Sequence, residues 1–105
     1  MSPEELTDPA VRTVVTALCE GDRDAFYGAF APGALLTDDG AEQDLHVWSE
    51  REIFNAHGRV EVREEREDGH YLLARFRSDQ WNFPDTFWHF RIDGGKVTRM
   101  DVGQA

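Results

Sequence analysis

The spacing of apolar residues changes once along this chain, from a helical period near the start to a period of two near the end. After Asp8 and Pro9, apolar residues recur at positions 11, 14, 15 and 18, which places them on one face of a helix. Thr7 or Asp8 can cap this helix, and Pro9 suits its first turn. The pattern therefore predicts an amphipathic helix that ends at Gly21.

A second helical segment begins at Asp22 and is followed by a short strand. The apolar stripe of this helix consists of Ala25, Phe26, Ala29 and Phe30. Proline cannot continue a helix, so we expect the segment to stop at the Ala-Pro-Gly sequence of residues 31–33. Residues 34–36, Ala-Leu-Leu, then predict a strand that follows a pair of helices.

A brief third helix is predicted before the second half of the chain. Ser49 is followed three residues later by Glu52, which is the spacing of a capping box. The helix would carry Ile53 and Phe54 on its apolar side and end at Gly58.

Four segments with alternating apolar and polar residues follow, at residues 59–67, 70–78, 85–92 and 96–102. Turn sequences, Asp68-Gly69 and residues 93–95, separate the first pair and the last pair, and a longer connection with Pro84 joins the middle two. The strands therefore predict an antiparallel meander. Helices followed by a meander indicate an α+β domain, with the helices covering one face of a curved sheet.

Three stretches of sequence carry a resemblance to a known family. Residues 21–40 (GDRDAFYGAFAPGALLTDDG), 48–58 (WSEREIFNAHG) and 90–102 (FRIDGGKVTRMDV) resemble, in this order, the nuclear transport factor 2-like superfamily and its SnoaL-like polyketide cyclase branch. The resemblance implies one domain over residues 1–105, shaped as a cone that encloses a pocket open at one end. It also implies a sheet whose outer face is often used for dimerisation.

Composition and charge exclude several classes of partner. A chain of 105 residues with a net charge of −10 repels phosphate backbones and anionic lipid, so we expect no nucleic acid and no membrane partner. No apolar run approaches the roughly 20 residues of a spanning helix, and the first ten residues do not resemble a signal peptide. We therefore expect a cytoplasmic protein. The single cysteine, Cys19, is expected to pack as a small apolar side chain, and we expect no metal and no cofactor.

Alternation assigns the side chains of the last three strands to two faces. The inner, core-facing and pocket-facing set is Leu72, Ala74, Phe76, Ser78, Trp88, Phe90, Ile92, Thr98, Met100 and Val102. The outer set is Tyr71, Leu73, Arg75, Arg77, Phe87, His89, Arg91, Arg99 and Asp101. Aromatic residues mixed with arginines favour a protein interface, so we predict a homodimer through Tyr71, Leu73, Arg75, Phe87, His89 and Arg91.

Aromatic residues also indicate a ligand pocket. An apolar cavity with few polar groups suits a planar or hydrophobic small molecule. The predicted lining is Tyr27, Trp48, Trp81, Trp88, Phe90 and Met100. In a chain this short the same side chains could instead fill the cone completely, and the sequence leaves both alternatives open.

The segment LTDDGAEQDLHVW, residues 36–48, holds the candidate catalytic residues Asp38, Asp39 and His46. A carboxylate at the open end of the cone could abstract a proton next to a carbonyl, and His46 could act as base or donor. The alternative is that the two acids form a turn with Gly40. We expect one of them at the open end of the cone, with Trp48 at its rim, and Glu42 and Asp44 as solvated loop acids.

The resemblance also implies a comparison with ketosteroid isomerases, in which an aspartate at the end of the first strand is the general base. Asp38 lies on or next to that position. The mechanism also needs a tyrosine and a protonated aspartate as donors to the enolate, and these positions correspond to Val14 and to Phe87 or Trp88 here. Both donors are missing, so we reject that particular mechanism.

Three functions therefore remain. The first is a SnoaL-like domain that binds an apolar or aromatic small molecule. The second is a cofactor-independent isomerase or cyclase with Asp38 or Asp39 as general base. The third is a dimerising interaction module without catalysis.

Overall fold

A computed structural model describes all 105 residues. The helices are α1 (Pro9–Glu20), α2 (Arg23–Gly28) and α3 (Leu45–Ser49), with 3₁₀ turns at Pro3–Glu5 and Glu67–Gly69 and a π-helical turn at Glu50–Phe54. The strands are β1 (Phe30–Asp38), β2 (Ala41–Gln43), β3 (Arg59–Arg66), β4 (Tyr71–Arg77), β5 (Asn82–Asp93) and β6 (Lys96–Gln104).

The six strands form one curved, unclosed sheet in the order β2-β1-β6-β5-β4-β3. The meander β3 to β6 is antiparallel as predicted, whereas β1 runs parallel to β6. A single core cluster joins the apolar sides of α1 and α2 to the inner face of the sheet. The α+β fold predicted from the sequence is confirmed, with one parallel strand pair in the sheet.

Local sequence signals give both N-terminal helices. Asp8 caps α1, because its Oδ1 accepts hydrogen bonds from the backbone N–H groups of Ala10 and Val11 at 2.8 and 3.1 Å. Gly21 ends the helix in the left-handed conformation, with φ of 70°. Asp22 caps α2 in the same way through the N–H of Ala25.

The first strand is longer than predicted. Phe30 begins β1 instead of ending α2, and the strand continues through Pro32 and Gly33. Residues 31–34 have no ladder partners, because the pairing with β6 shifts between Phe30 and Leu35. Proline is tolerated at such a bulge because no backbone N–H is needed there, so Pro32 does not end the element.

The acidic segment forms a hairpin turn, which was one of the two alternatives for Asp38 and Asp39, and a helix start that was not predicted. Asp39 and Gly40 both have positive φ, 48° and 84°, and form the two-residue turn between β1 and β2. Asp44 is exposed, as expected, but it is the N-cap of α3, because its Oδ1 accepts from the N–H of Val47 at 2.9 Å. The capping box predicted at Ser49 is wrong, because Ser49 lies fully buried at the end of α3.

The faces of the meander follow the alternation except at three residues, Thr98, Ser78 and Ile92. Leu72, Ala74, Phe76, Trp88, Phe90, Met100 and Val102 are all buried on the inner face. Thr98 is only half-buried and Val97 is buried in its place, because the β5–β6 register shifts between Arg91 and Ile92. Ser78 lies beyond the end of β4 and Ile92 is half-buried, so neither belongs fully to the inner face.

The outer face carries a cluster of stacked side chains. The rings of Tyr71 and Phe87 are parallel within 10°, with centroids 6.0 Å apart, and His89 lies beside Tyr71. These three residues and Leu73 are half-buried in the single chain. The thiol of Cys19, in α1, donates to the carbonyl of Val60 in β3.

The helices are short. The longest of them, α1, has 12 residues, and no helix has the length and apolar character needed to cross a lipid bilayer.

Candidate functional site

An aromatic cavity of about 210 Å³ opens between the ends of β1, β5 and β6 and helix α3. Its apolar walls come from Trp48, Phe76, Trp81, Phe83, Trp88 and Val102. The remaining lining residues are Asp38, Asp39, Glu52, Thr86, Gly103 and Gln104, so no lysine, arginine or histidine lines the cavity.

The parallel pairing of β1 with β6 brings the two aspartates to this cavity. Asp38 lies opposite Val102 in the register, and the backbone N–H of Asp39 donates to the carbonyl of Val102 at 2.9 Å. The Oδ1 of Asp39 then accepts from the N–H of Gln104 at 3.1 Å. Asp39 is therefore both the first residue of a tight turn and a clamp on the end of β6.

Gly103 allows Asp39 to approach β6 this closely. A side-chain Cβ at position 103 would lie 2.6 Å from the Oδ1 of Asp39 and 2.8 Å from the ring of Phe87. Any residue other than glycine would displace one of these two groups.

Asp38 faces the cavity with one oxygen held and one free. The indole Nε1 of Trp48 donates to its Oδ2 at 2.9 Å, and no hydrogen bond from the protein reaches Oδ1. The carboxylate is half-buried and forms no ion pair. Such a group can accept a proton, or a hydrogen bond, from a molecule in the cavity.

The three tryptophans have different positions in the cavity. Trp48 and Trp88 are each 4 % exposed and meet edge to face with centroids 6.4 Å apart, so they form the wall. Trp81 is 48 % exposed and stacks on Phe83 at 5.5 Å. The rim is therefore formed by Trp81, whereas Trp48, which we expected at the rim, lies deeper.

The other polar side chains of the wall already have partners within the protein. Thr86 donates from its hydroxyl to the carbonyl of Ala74 at 2.7 Å and accepts from Nε1 of Trp88 at 3.0 Å. Glu52 pairs with the neighbouring Arg51 at 2.8 Å. Asp38 is half-buried whereas Asp39 is exposed, so the unbonded Oδ1 of Asp38 is the candidate oxygen for contact with a ligand.

His46 does not line the cavity. It stacks on Tyr27 with centroids 4.0 Å apart, in a shallow groove lined by α2, β1 and α3. The Tyr27 hydroxyl donates to Oε2 of Glu50 at 2.7 Å. Burial, and then this bond, raise the pKa of Tyr27, and the same bond, with Arg23, lowers the pKa of Glu50. The structure thus separates His46 and Tyr27 from the two aspartates.

Two other predicted pocket residues lie in the core. Phe90 and Met100 are 2 % and 0 % exposed and do not line the cavity, because core side chains cover them. Sequence reasoning missed Glu52, Phe83, Thr86 and Gln104. Thr86 could have been found, since it lies two residues before Trp88 on the same face of its strand.

The side chains show no arrangement typical of a metal centre. No group of three or more histidine, cysteine, aspartate or glutamate side chains is close enough to hold a metal ion. The expectation that activity needs no metal stays a prediction.

Comparison with known proteins gives the fold. No family model and no curated protein matches the chain. Among solved structures, a candidate polyketide cyclase from Sinorhizobium meliloti is 24 % identical, with a TM-score of 0.75 over 97 % of this chain and 99 % of the other. A nuclear transport factor 2-like protein of unknown function from Cytophaga hutchinsonii is 10 % identical, with a TM-score of 0.77 over 100 % of this chain and 91 % of the other.

A third similar structure carries the name of an enzyme. A candidate ketosteroid isomerase from Kribbella flavida is 12 % identical, with a TM-score of 0.75 over 96 % of this chain and 78 % of the other. These similarities agree with the resemblance found in the sequence and with the curved sheet and its buried aromatic cluster. The chain has the fold of the nuclear transport factor 2-like superfamily, to which SnoaL-like polyketide cyclases and ketosteroid isomerases belong.

Proposed function

We propose that the domain binds a small aromatic molecule in the cavity lined by Trp48, Trp81 and Trp88. The observation that carries this proposal is a concave space walled by aromatic rings with one free carboxylate oxygen at Asp38. Sites for small molecules typically combine apolar walls with a few polar groups that fix orientation. The similar structures that are named as a polyketide cyclase and a ketosteroid isomerase support a small-molecule ligand.

The size of the cavity limits the ligand. A dry engineered cavity of about 150 Å³ holds benzene, and sites for drug-sized molecules span roughly 300–1,000 Å³. The cavity of about 210 Å³ therefore suits a compact molecule with one aromatic ring, or a larger one that extends past Trp81 into solvent.

Binding can be measured through the three indole N–H groups of the protein. Titration with indole or naphthalene should shift the NMR signals of Trp48 and Trp88, whose N–H groups bond to Asp38 and Thr86 beside the cavity. Trp81→Ala should weaken binding without unfolding, because Trp81 is 48 % exposed. Val47→Ala is the matched control, since Val47 is 60 % exposed and does not line the cavity. The absence of any shift with single-ring and two-ring compounds would refute the proposal.

A second candidate function is proton abstraction by Asp38. The free Oδ1 of a carboxylate whose other oxygen is held by Trp48 gives a base a fixed direction toward the cavity. The sensitive test is exchange of the α-hydrogens of aryl ketones with D₂O, followed by NMR. Asp38→Asn should abolish the exchange while the ketone still shifts the indole signals, because Asn retains an acceptor for Trp48. Exchange at the uncatalysed rate with the parent protein would exclude this activity.

A third candidate, dimerisation, concerns the outer face of the sheet. Tyr71, Leu73, Phe87 and His89 are half-buried there, and two of their rings are stacked. Leu73→Glu should dissociate a dimer because it places a charge in a desolvated contact, whereas Val47→Glu should leave it intact. Light scattering would reject the dimer if the parent protein had a mass near 12.0 kDa, and would reject this face if Leu73→Glu remained dimeric.

A further inference from the structure

We propose that the molecule taken up by this cavity is an organic cation, such as a protonated or quaternary amine that carries an aromatic ring. This inference rests on the proposed binding function and adds the charge of the ligand. It follows from the combination of two features in one space, namely aromatic rings and carboxylates without basic residues.

The charge lining the cavity has one sign. Asp38, Asp39 and Glu52 all contribute to the lining. Arg51 pairs with Glu52, but its side chain is 52 % exposed and does not line the cavity. Asp38 and Asp39 form no ion pair, although the chain carries 11 lysines and arginines. A cation that enters the cavity would therefore meet uncompensated negative charge, and an anion would be repelled.

The rings supply the second attraction. Trp48 and Trp88 stand nearly perpendicular, at 68°, and Trp81 stacks with Phe83 at the rim, so rings of different orientation surround the space. Aromatic rings attract a cation near their faces, and tryptophan does so most strongly. A neutral apolar ligand would be bound by contact with the rings alone, and the three carboxylates would add nothing to its affinity.

Hydrogen bonds fix the orientation of Asp38 and Asp39 without neutralising their charge. The Trp48 indole directs Asp38, and the backbone N–H of Gln104 directs Asp39, and neither donor carries a charge. By contrast, Glu50, which accepts from the Tyr27 hydroxyl, is paired with Arg23 at 2.9 Å. The missing counter-charge at the cavity is thus available to a ligand.

Three probes of the same shape test the inference. Phenyltrimethylammonium, tert-butylbenzene and benzenesulfonate each join one phenyl ring to a compact tetrahedral group, with charges of plus one, zero and minus one. Affinity is measured from the shifts of the Trp48 and Trp88 indole signals. We expect the cation to bind at least about tenfold more tightly than the neutral probe, and the anion not to bind, which is the effect of one cation–π contact with added Coulomb attraction.

Two double variants test which carboxylates cause the preference for the cationic probe. The double variant Asp38→Asn, Asp39→Asn keeps both hydrogen-bond acceptors, and asparagine tolerates the positive φ at position 39, so the fold should persist. In this variant the ratio of cation affinity to neutral affinity should fall to within about twofold of one. The double variant Glu20→Gln, Asp24→Asn removes the same charge from exposed residues outside the cavity and should leave the ratio unchanged. Circular dichroism confirms folding of each variant, and the comparison of probes on the parent protein needs no variant.

The outcomes separate this inference from the function on which it rests. If the neutral probe binds as tightly as the cation, the cavity binds ligands but the charge assignment is wrong. If none of the three probes binds, the proposed function itself fails. If the control variant lowers the ratio as much as the cavity variant, the preference comes from the overall charge of the chain, and the assignment to Asp38 and Asp39 is overturned.

Discussion

Two aromatic residues of this protein donate a hydrogen bond to a carboxylate, and the two pairs lie in different surroundings. Trp48 donates to Asp38 at the cavity, and Tyr27 donates to Glu50 between α2 and the π-helical turn. The first pair has no basic neighbour in the cavity lining. The second pair has Arg23, which binds Glu50 at 2.9 Å, and His46, which stacks on Tyr27.

The presence or absence of a basic neighbour separates a structural carboxylate from one that is available to a ligand. Glu50 satisfies its partners within the protein, so its charge is used to hold α2 against the π-helical turn. Asp38 lines the cavity and is oriented by Trp48, but it has no cationic partner and its Oδ1 receives no hydrogen bond from the protein. Both acids accept a hydrogen bond from an aromatic side chain. The difference between them is that Glu50 has a cationic partner, Arg23, whereas Asp38 has none.

The largest effect is expected from removing the aromatic partner of Asp38. Trp48 is 4 % exposed, so Trp48→Ala should lower the free energy of unfolding by about 3–5 kcal/mol through lost packing and a cavity. Tyr27→Phe, which removes only the hydroxyl of the other pair, should cost about 1 kcal/mol. Urea unfolding measures both. A loss below about 1 kcal/mol for Trp48→Ala would show that Trp48 is not part of the packed wall.

The next effect concerns the acids themselves. Glu50→Gln removes the ion pair with Arg23 and weakens the bond from Tyr27, so it should cost about 1 kcal/mol. Asp38→Asn keeps the acceptor for Trp48 and should change stability by less than about 0.5 kcal/mol. If Asp38→Asn destabilised the protein more than Glu50→Gln in the same urea experiment, the assignment of Glu50 as the structural acid and Asp38 as the available one would be wrong.

The smallest effect is a dependence of stability on pH at the Tyr27–Glu50 pair. The bond from Tyr27 holds the pKa of Glu50 below its ordinary value of 4.5. A lowered folded pKa gives stability that is fully present above the unfolded pKa and is lost as pH falls through the folded pKa. The stability difference between the parent and Glu50→Gln should therefore shrink below pH 4.5.

The cause of this pH dependence can be checked at the carboxylate. An NMR titration of Glu50 should give a higher pKa in Tyr27→Phe than in the parent, because the largest cause of the lowering has been removed. An unchanged Glu50 pKa in that variant would mean that Arg23 alone holds the charge.

Much of the fold could be predicted because its signals are local. Asp8, Pro9 and Gly21 define α1 through contacts within a few residues, and the alternation of β4 and β5 gives their faces. Where a distant partner decides, the prediction was wrong. Pro32 was read as a helix stop because its own sequence favours one, but pairing with β6 on both sides of the bulge carries β1 through it.

The site was predicted in part, for the same reason. The two aspartates and the three tryptophans lie together at one cavity, although they come from separate parts of the chain. His46 was included because it is close to them in sequence. His46 is the second residue of α3, where helix geometry turns its side chain toward Tyr27. Trp48, two residues later, lies on a different side of the helix and lines the cavity. No sequence pattern indicated that Glu52 or Gln104 would join them.

The parallel pairing of β1 with β6 also has a consequence for the order of folding. Asp38 and Val102 are register partners although almost the whole meander lies between them in the chain. Closing so long a loop has an entropic cost that is recovered only after the intervening hairpins have formed. We therefore expect the cavity to be among the last parts of the molecule to assemble. In refolding experiments, the fluorescence of Trp48 should reach its native value after the hairpin of β5 and β6 is already protected from hydrogen exchange.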